Sequence, residues 1–420
     1  MTTNNTNTAK PTFTKYEIFI IAILAILQFS VILDFMVLSP LGYILLPTLN
    51  IDTKQFGIVV AAYAFSAGAS GLLSAGFADK FDRKKLLLFF YTGFIIGTAF
   101  CALAPTYHFL LAARIFTGIF GGVMGSIGAA IVTDLFGMDR RGRVMGFVQT
   151  AFSASQVLGI PVGLLLAKHF GWHAPFWMIA STAVIIAIII WIYMKPITEH
   201  LLIKSDRNPF EHLIKTLTKP SYLRGFLATT LLATGGFMMM PFGSVFSTKN
   251  LLIPEENLPM LFSITGAFTI FFGPIIGKFS DKIGKFNMFF IGSIISIVMV
   301  AIYTHLGPTS FALVIFLNVI LFVGISSRMI SSSALLTAVP QPQDRGAFMS
   351  INASVSQIAG GIAAAIAGMI VVQENGNGPL QNYPNLGFVV IGSMMITVAL
   401  MYRLNKQIQR NLKTPTADKK

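Results

Sequence analysis

Ala75-Gly76-Phe77-Ala78-Asp79-Lys80-Phe81-Asp82-Arg83-Lys84-Lys85 is a charged turn set between two long apolar runs. A second copy, Gly277-Lys278-Phe279-Ser280-Asp281-Lys282-Ile283-Gly284-Lys285, follows about two hundred residues later. Asp79 matches Asp281, Lys80 matches Lys282, and Arg83 matches Lys285. Two more pairs recur in the same order. Arg141-Gly142-Arg143-Val144-Met145-Gly146 matches Arg345-Gly346-Ala347-Phe348-Met349-Ser350, and Ser155-Gln156-Val157-Leu158-Gly159 matches Ser356-Gln357-Ile358-Ala359-Gly360. Three ordered matches at nearly constant offset make the chain a duplication.

The apolar runs set the class. Of the 420 residues, 54% are hydrophobic and 11% charged, whereas a soluble domain carries roughly 25% charged residues. The 38 Phe and 37 Gly fit a helical membrane protein, where small residues let helices approach closely. A spanning helix takes roughly 20 apolar residues. Twelve such runs can be placed: 17–38, 56–78, 86–104, 109–134, 144–167, 173–193, 222–246, 258–279, 286–305, 311–336, 348–371 and 386–404. Lipid offers backbone groups no partner, so each run is expected to be a helix. The fold class is thus all-α, with twelve transmembrane helices in two pseudo-symmetric halves.

If both termini are cytoplasmic, 25 of the 30 Lys and Arg fall on that side, three (Lys54, Lys168, Lys249) fall opposite, and Arg114 and Arg328 lie inside spans. That asymmetry predicts a multi-pass protein of the cytoplasmic (inner) membrane with both ends inside. It also assigns the net charge of +14 to anionic lipid and not to nucleic acid. The polar first fifteen residues lack a cleavage-type segment, so no signal peptide is expected. Cys101 is the single cysteine and lies in an apolar run, which excludes a disulfide framework or cysteine metal cluster.

The domain plan reads as a six-helix half over 1–194, a cytoplasmic linker over 195–221, a second half over 222–404 and a tail over 405–420. Within the linker, Asn208-Pro209 signals a helix start. Phe210, Leu213, Ile214 and Leu217 recur at helical spacing up to Pro220. A short amphipathic helix at the membrane surface is expected there; the alternative is a linker with chance periodicity.

Asp34, late in the first span, is the acid placed well inside the bilayer. Such a carboxylate is costly while charged unless a cation or a proton compensates it, and intramembrane acids are functional by default. Arg114 enters from the same side at similar depth, so the two can approach. The alternative is a permanently paired structural carboxylate. Arg328 has no intramembrane acid in its own half, and two readings stand: it attracts an anionic substrate or meets polar groups such as Asn318, or it snorkels to the cytoplasmic face. Gln28, Tyr63, Gln149, Gln156, Asn352 and Gln357 are polar within spans and are candidate cavity residues. Met239, between Met238 and Met240, would add a soft apolar surface. No nucleotide loop, zinc spacing or nucleophile constellation occurs, so neither an enzyme nor an ATP-driven pump is indicated.

On these residues the chain resembles the major facilitator superfamily along essentially its whole length. The turn at Asp79 is similar to the family signature G-x-L-x-D-R-x-G-R-K between helices two and three. Ala75 replaces its first Gly and Asp82 its second; the later copy keeps both, as Gly277 and Gly284. The run from Arg114 through Gly118 and Gly121 resembles R-x-x-x-G-x-x-G, and Gly159-Ile160-Pro161-Val162-Gly163 partly matches the exporters' G-x-x-x-G-P-x-x-G-G. The resemblance implies two six-helix bundles around a central cavity, with alternating access by rocking of the halves. It implies gating by Asp79 with Arg83 and by Asp281 with Lys285, a flexible packing seam at Gly159, Pro161 and Gly163, and proton coupling at Arg114 with Asp34. The first span looks similar to the arabinose-efflux-permease-like and drug:proton antiporter branches. The expectation is therefore proton-coupled efflux of small organic molecules by a monomer, with no cofactor beyond a proton gradient. The alternative is a proton-coupled importer of a nutrient. A receptor on the same scaffold would need an added signalling domain.

Overall fold

The computed structural model describes residues 13–74, 80–202, 209–341, 344–373 and 378–413. Among them are twelve helices long and apolar enough to span a membrane. We number them α1 (Lys15–Val37), α2 (Thr53–Ser74), α3 (Arg83–Leu103), α4 (Tyr107–Leu135), α5 (Arg140–Phe170) and α6 (Ala174–Tyr193) in the first half. The second half holds α7 (Pro220–Lys249), α8 (Glu255–Ile283), α9 (Lys285–Tyr303), α10 (Phe311–Thr337), α11 (Arg345–Ile370) and α12 (Tyr383–Arg410). Each expected apolar run falls within one of these, apart from edges that shift by a few residues. The chain folds as two six-helix bundles.

Local chemistry sets the helix ends. Thr14 opens α1 with a capping box: its hydroxyl accepts from the Glu17 N–H, and the Glu17 carboxylate accepts from the Thr14 N–H. The two copies of the charged turn close differently. Gly284, between α8 and α9, has φ 98°, a left-handed conformation that favours glycine. The matching Asp82 has φ −53°, and its carboxylate caps α3 by accepting from the Lys84 N–H at 2.9 Å. The departure from the family pattern at Asp82 therefore replaces a glycine turn with a cap. Two spans are interrupted. In α5, Ser155–Gly159 forms a π turn just before Pro161, which lacks the N–H an α-turn would use. In α7, Met240–Phe242 narrows to a 3₁₀ turn around Pro241.

The bundles meet along α2 with α11 and along α5 with α8. On the first seam glycine brings backbones into contact. A Cβ on Gly57 would lie 2.8 Å from the Ala364 carbonyl, one on Gly68 2.9 Å from the Ser354 carbonyl, and one on Gly368 2.6 Å from the Thr53 carbonyl. The Thr53 hydroxyl donates to the Val371 carbonyl at 2.6 Å. The same end, away from the chain termini, is covered by the short helices Gly42–Thr48 and Gly243–Lys249, where the Ser244 hydroxyl donates to the Ser39 carbonyl at 3.2 Å. We call this the far face and the opposite end the terminal face.

The linker is pinned to both bundles at the terminal face. Ile197 exchanges backbone and cap bonds with Arg83 and Asp82. Pro209–Thr218 is helical; it buries Leu213 and Thr216 against the second bundle and turns Ile214 and Leu217 outward. The Phe210 side chain lies outside the described residues. Asp344, before α11, accepts from the Lys219 ammonium at 2.9 Å and the Tyr222 hydroxyl at 2.7 Å, and His212 lies 3.3 Å from its other oxygen.

Candidate functional site

A cavity of about 560 Å³ opens in the terminal-face half of the molecule, between the first bundle and α11. It runs from Val132, Met145 and Gly346 near the helix ends to Phe35 and Tyr63 at its deep end. On α4, Gly121, Gly122, Gly125 and Gly128 form a small-residue wall, and a Cβ on Gly125 would meet nothing within 4 Å. Gln28, Tyr63, Gln149 and Gln357 all line it.

The other expected cavity residues sit elsewhere. Asn318 donates to the Tyr303 hydroxyl at 3.2 Å inside the second bundle, because the α10 face that carries it packs on α9. Arg328 is also buried there, its guanidinium 5.7 Å from the centre of the Phe289 ring on α9. Neither the substrate-lining nor the snorkelling reading of Arg328 describes this position. Asn352 accepts from the Thr229 hydroxyl on α7. Gln156 falls in the π turn of α5 and does not line the cavity. Met239 packs into the core where α7 narrows.

Behind the deep end of the cavity lies a fully buried ion pair. Arg114 Nη1 is 2.8 Å from Asp34 Oδ2, and both side chains are 0% exposed. The same nitrogen donates to the Asp34 carbonyl at 3.3 Å, and the Thr98 hydroxyl donates to Asp34 Oδ1 at 3.1 Å. Sequence reasoning missed Thr98, since nothing in a lone threonine distinguishes it. The Arg114 guanidinium stacks 4.4 Å from the centre of the Tyr63 ring, a favourable cation–π arrangement. Tyr63 in turn packs against Phe35, with ring centres 5.3 Å apart, and Phe35 against Phe237 of the other bundle at 5.6 Å. Tyr63 thus stands between the cavity and the charges. Among the described residues Arg114 Nε and Nη2 have no hydrogen-bond partner, so the buried cation is only partly compensated.

Glycine spacing builds this arrangement. Gly118 and Gly122, on the face of α4 that Arg114 begins, meet the α2 backbone so closely that any side chain there would overlap it. That approach lays Tyr63 over Arg114. A Cβ on Gly97 would lie 2.5 Å from the Thr117 hydroxyl, so α3 also sits tight on α4 and Thr98 reaches Asp34. On α5, Cβ atoms at Gly159 and Gly163 would lie 2.5 Å from Leu33 and 2.8 Å from Val37. These glycines and Pro161 therefore seat α5 on α1 next to Asp34.

The residues expected to gate are placed in part. Asp79 lies outside the described residues. Arg83 Nε is 2.8 Å from Asp134 of its own bundle, with His200 of the linker 3.4 Å from the same oxygen. Lys285 pairs with Asp281 one turn away.

Comparison with known proteins agrees with this architecture. A sequence profile of the Major Facilitator Superfamily matches residues 24–364, with a second match over 226–420. An uncharacterized MFS-type transporter of Bacillus subtilis (strain 168), YceJ, is 24% identical over 376 residues, covering 87% of this chain and 93% of its own. A probable sugar efflux transporter of Helicobacter pylori (strain G27) is 24% identical over 337 residues, covering 78% of this chain and 82% of its own. In fold, the chain is similar to a bacterial homologue of the human lysosomal transporter Spinster in an inward-facing, unoccupied conformation. There the TM-score is 0.70 at 17% identity, over 97% of this chain and 100% of that one. Family profile, twelve spanning helices and duplicated bundles together show that the chain belongs to the major facilitator superfamily of membrane transporters.

Proposed function

We propose that this transporter exports small organic molecules in exchange for protons, with Asp34 as the proton-carrying group. The observation that carries the reading is the buried Asp34–Arg114 pair one aromatic ring away from the cavity. A carboxylate held there is stable while Arg114 compensates it, and a proton can take over that role when the pair is disturbed. Substrate pressing on Phe35 and Tyr63 loosens the stack on Arg114, so cavity occupancy and the protonation of Asp34 become linked. Rocking of the bundles would part the α2–α11 seam at the far face and close the terminal-face cavity, with the turns at Asp79 and Asp281 biasing the equilibrium. In this reading the terminal face is cytoplasmic, the membrane is the inner one and the monomer is sufficient. Export is supported by the similarity to a probable sugar efflux transporter.

The test is accumulation of labelled compounds in cells lacking their own exporters. Empty vector, this protein and Asp34→Asn are compared with and without an uncoupler. Lower accumulation of a compound, reversed by both the uncoupler and the substitution, is expected. Higher accumulation that the uncoupler abolishes would make the protein an importer, and export undiminished in Asp34→Asn would remove that residue from coupling.

A further inference from the structure

The lining of the cavity bears on what it can hold. Among the described residues, no Asp, Glu, Lys or Arg lines it. Asp34, next to the lining residue Phe35, is already paired with Arg114 and closed off behind Tyr63. A cation transferred into this space would meet no carboxylate, and an anion no guanidinium or ammonium. Either would give up hydration without a compensating charge.

The wall is otherwise apolar, with Leu27, Val31, Ile32, Leu87, Met124 and Val148 among its residues. Three amides interrupt it: Gln28 on α1, Gln149 on α5 and Gln357 on α11. Among the described residues none of these amides has a hydrogen-bond partner. Each offers two N–H donors and a carbonyl acceptor, which suits hydroxyl and amide groups. They come from both bundles, so one bound molecule can bridge the halves. A volume of about 560 Å³ lies in the range of small-molecule pockets.

We propose that the cavity selects an uncharged amphiphile, with its hydroxyl or amide groups held by Gln28, Gln149 and Gln357 and its apolar body against the aliphatic wall. This rests on the cavity being the transport site, but not on the direction of transport or on proton coupling. Charged molecules of the same size are excluded by the lack of a counter-charge.

The experiment measures binding to purified protein in nanodiscs of neutral lipid, with empty nanodiscs subtracted. Three labelled probes with one tail are compared: hexyl β-glucoside, hexyltrimethylammonium and hexyl sulfate. The protein is tested as wild type, as Gln149→Leu/Gln357→Leu and as Gln149→Glu, each checked for monodispersity and thermal stability. We expect saturable binding of the glucoside at least about tenfold stronger than of either ion, since an unpaired charge is the costlier group to bury. The double leucine variant should lose about tenfold in glucoside affinity, the scale set by unmet polar groups. Gln149→Glu should admit the cation. Equal or tighter binding of either ion by the wild type would overturn the proposal. So would glucoside binding unchanged in the double variant, or no saturable glucoside binding by well-folded protein. Binding needs no proton gradient, so a failure of proton coupling in cells leaves this result standing, and the reverse also holds.

Discussion

At the scale of single residues, Tyr63 holds the most consequential position. Its ring screens Asp34 and Arg114 from the cavity, so the charges stay at 0% exposure although an open volume lies one ring away. Tyr63→Ala should let water-soluble carbodiimide reach Asp34, and modification followed by mass spectrometry should proceed several-fold faster than in wild type. An unchanged rate would mean that other groups do the screening. The pair itself behaves as a unit. Asp34→Ala alone leaves Arg114 buried and uncompensated and should cost about 3–5 kcal/mol of stability, the scale for breaking a buried pair. Adding Arg114→Leu should restore much of the loss in thermal unfolding. A double variant less stable than Asp34→Ala would show that Arg114 has compensation elsewhere. Asp34 and Arg114 could both be picked out from the sequence, because a charge inside a span is conspicuous. Thr98 and the stacking of Tyr63 could not, since each depends on how closely α3 and α2 approach α4.

At the scale of helices, glycine marks two opposite situations. Gly68 on α2 faces the Ser354 carbonyl at 2.9 Å from its would-be Cβ, whereas Gly125 on α4 faces open space. Gly68→Leu should therefore force α2 from α11 and cost about 1–3 kcal/mol or more, as overpacking does. Gly125→Phe should leave the unfolding temperature near that of wild type but abolish transport by filling the cavity. If both variants unfolded alike, the two glycines would not differ as the structure has them. The linker helix Pro209–Thr218 carries a pH dependence. The Lys219 ammonium and then the Tyr222 hydroxyl hold Asp344 below its unperturbed value of 3.8, and Asp344 holds Lys219 above 10.5. A depressed carboxylate contributes stability above its unfolded value and loses it as pH falls through the folded one. A raised lysine contributes below its unfolded value and loses that as pH climbs through the folded one. Hydrogen exchange over the linker helix, taken relative to the intrinsic amide rate at each pH, should thus be flat across neutral pH and rise below pH 3.8. Asp344→Asn should raise it at neutral pH. A marked change between those limits would show that this pair does not set the stability of the helix.

At the scale of the whole molecule, the cavity lies on one side and the tightest inter-bundle packing on the other. The far face is held by Thr53 with Gly368 and Val371 and by the two short covering helices. With Cys101 replaced by alanine, Ser39→Cys and Ser244→Cys, which meet across the bundles at this face, should cross-link on oxidation and stop transport, and reduction should restore it. Transport that persisted with the cross-link complete would rule out opening at this face. The duplication also shows where the halves have diverged. The second turn keeps Gly284 in a left-handed conformation, while the first puts a capping Asp82 there and ties Ile197 of the linker to it.

The sequence alone determined the architecture. Lipid forces every spanning segment to satisfy its own backbone, so apolar runs of sufficient length can only be helices. Repeated motifs then divide the chain into two bundles. The cost of a charge in the bilayer likewise made Asp34 and Arg114 visible without coordinates. Only the tertiary structure decided which polar residues share a space. Gln28, Gln149 and Gln357 meet at one cavity, whereas Gln156, Asn318, Arg328 and Asn352, equally polar and equally within spans, do not. The direction a spanning side chain faces depends on the rotation of its helix. That rotation is set by glycine contacts, the π turn before Pro161 and packing across bundles, and these join residues far apart in the chain.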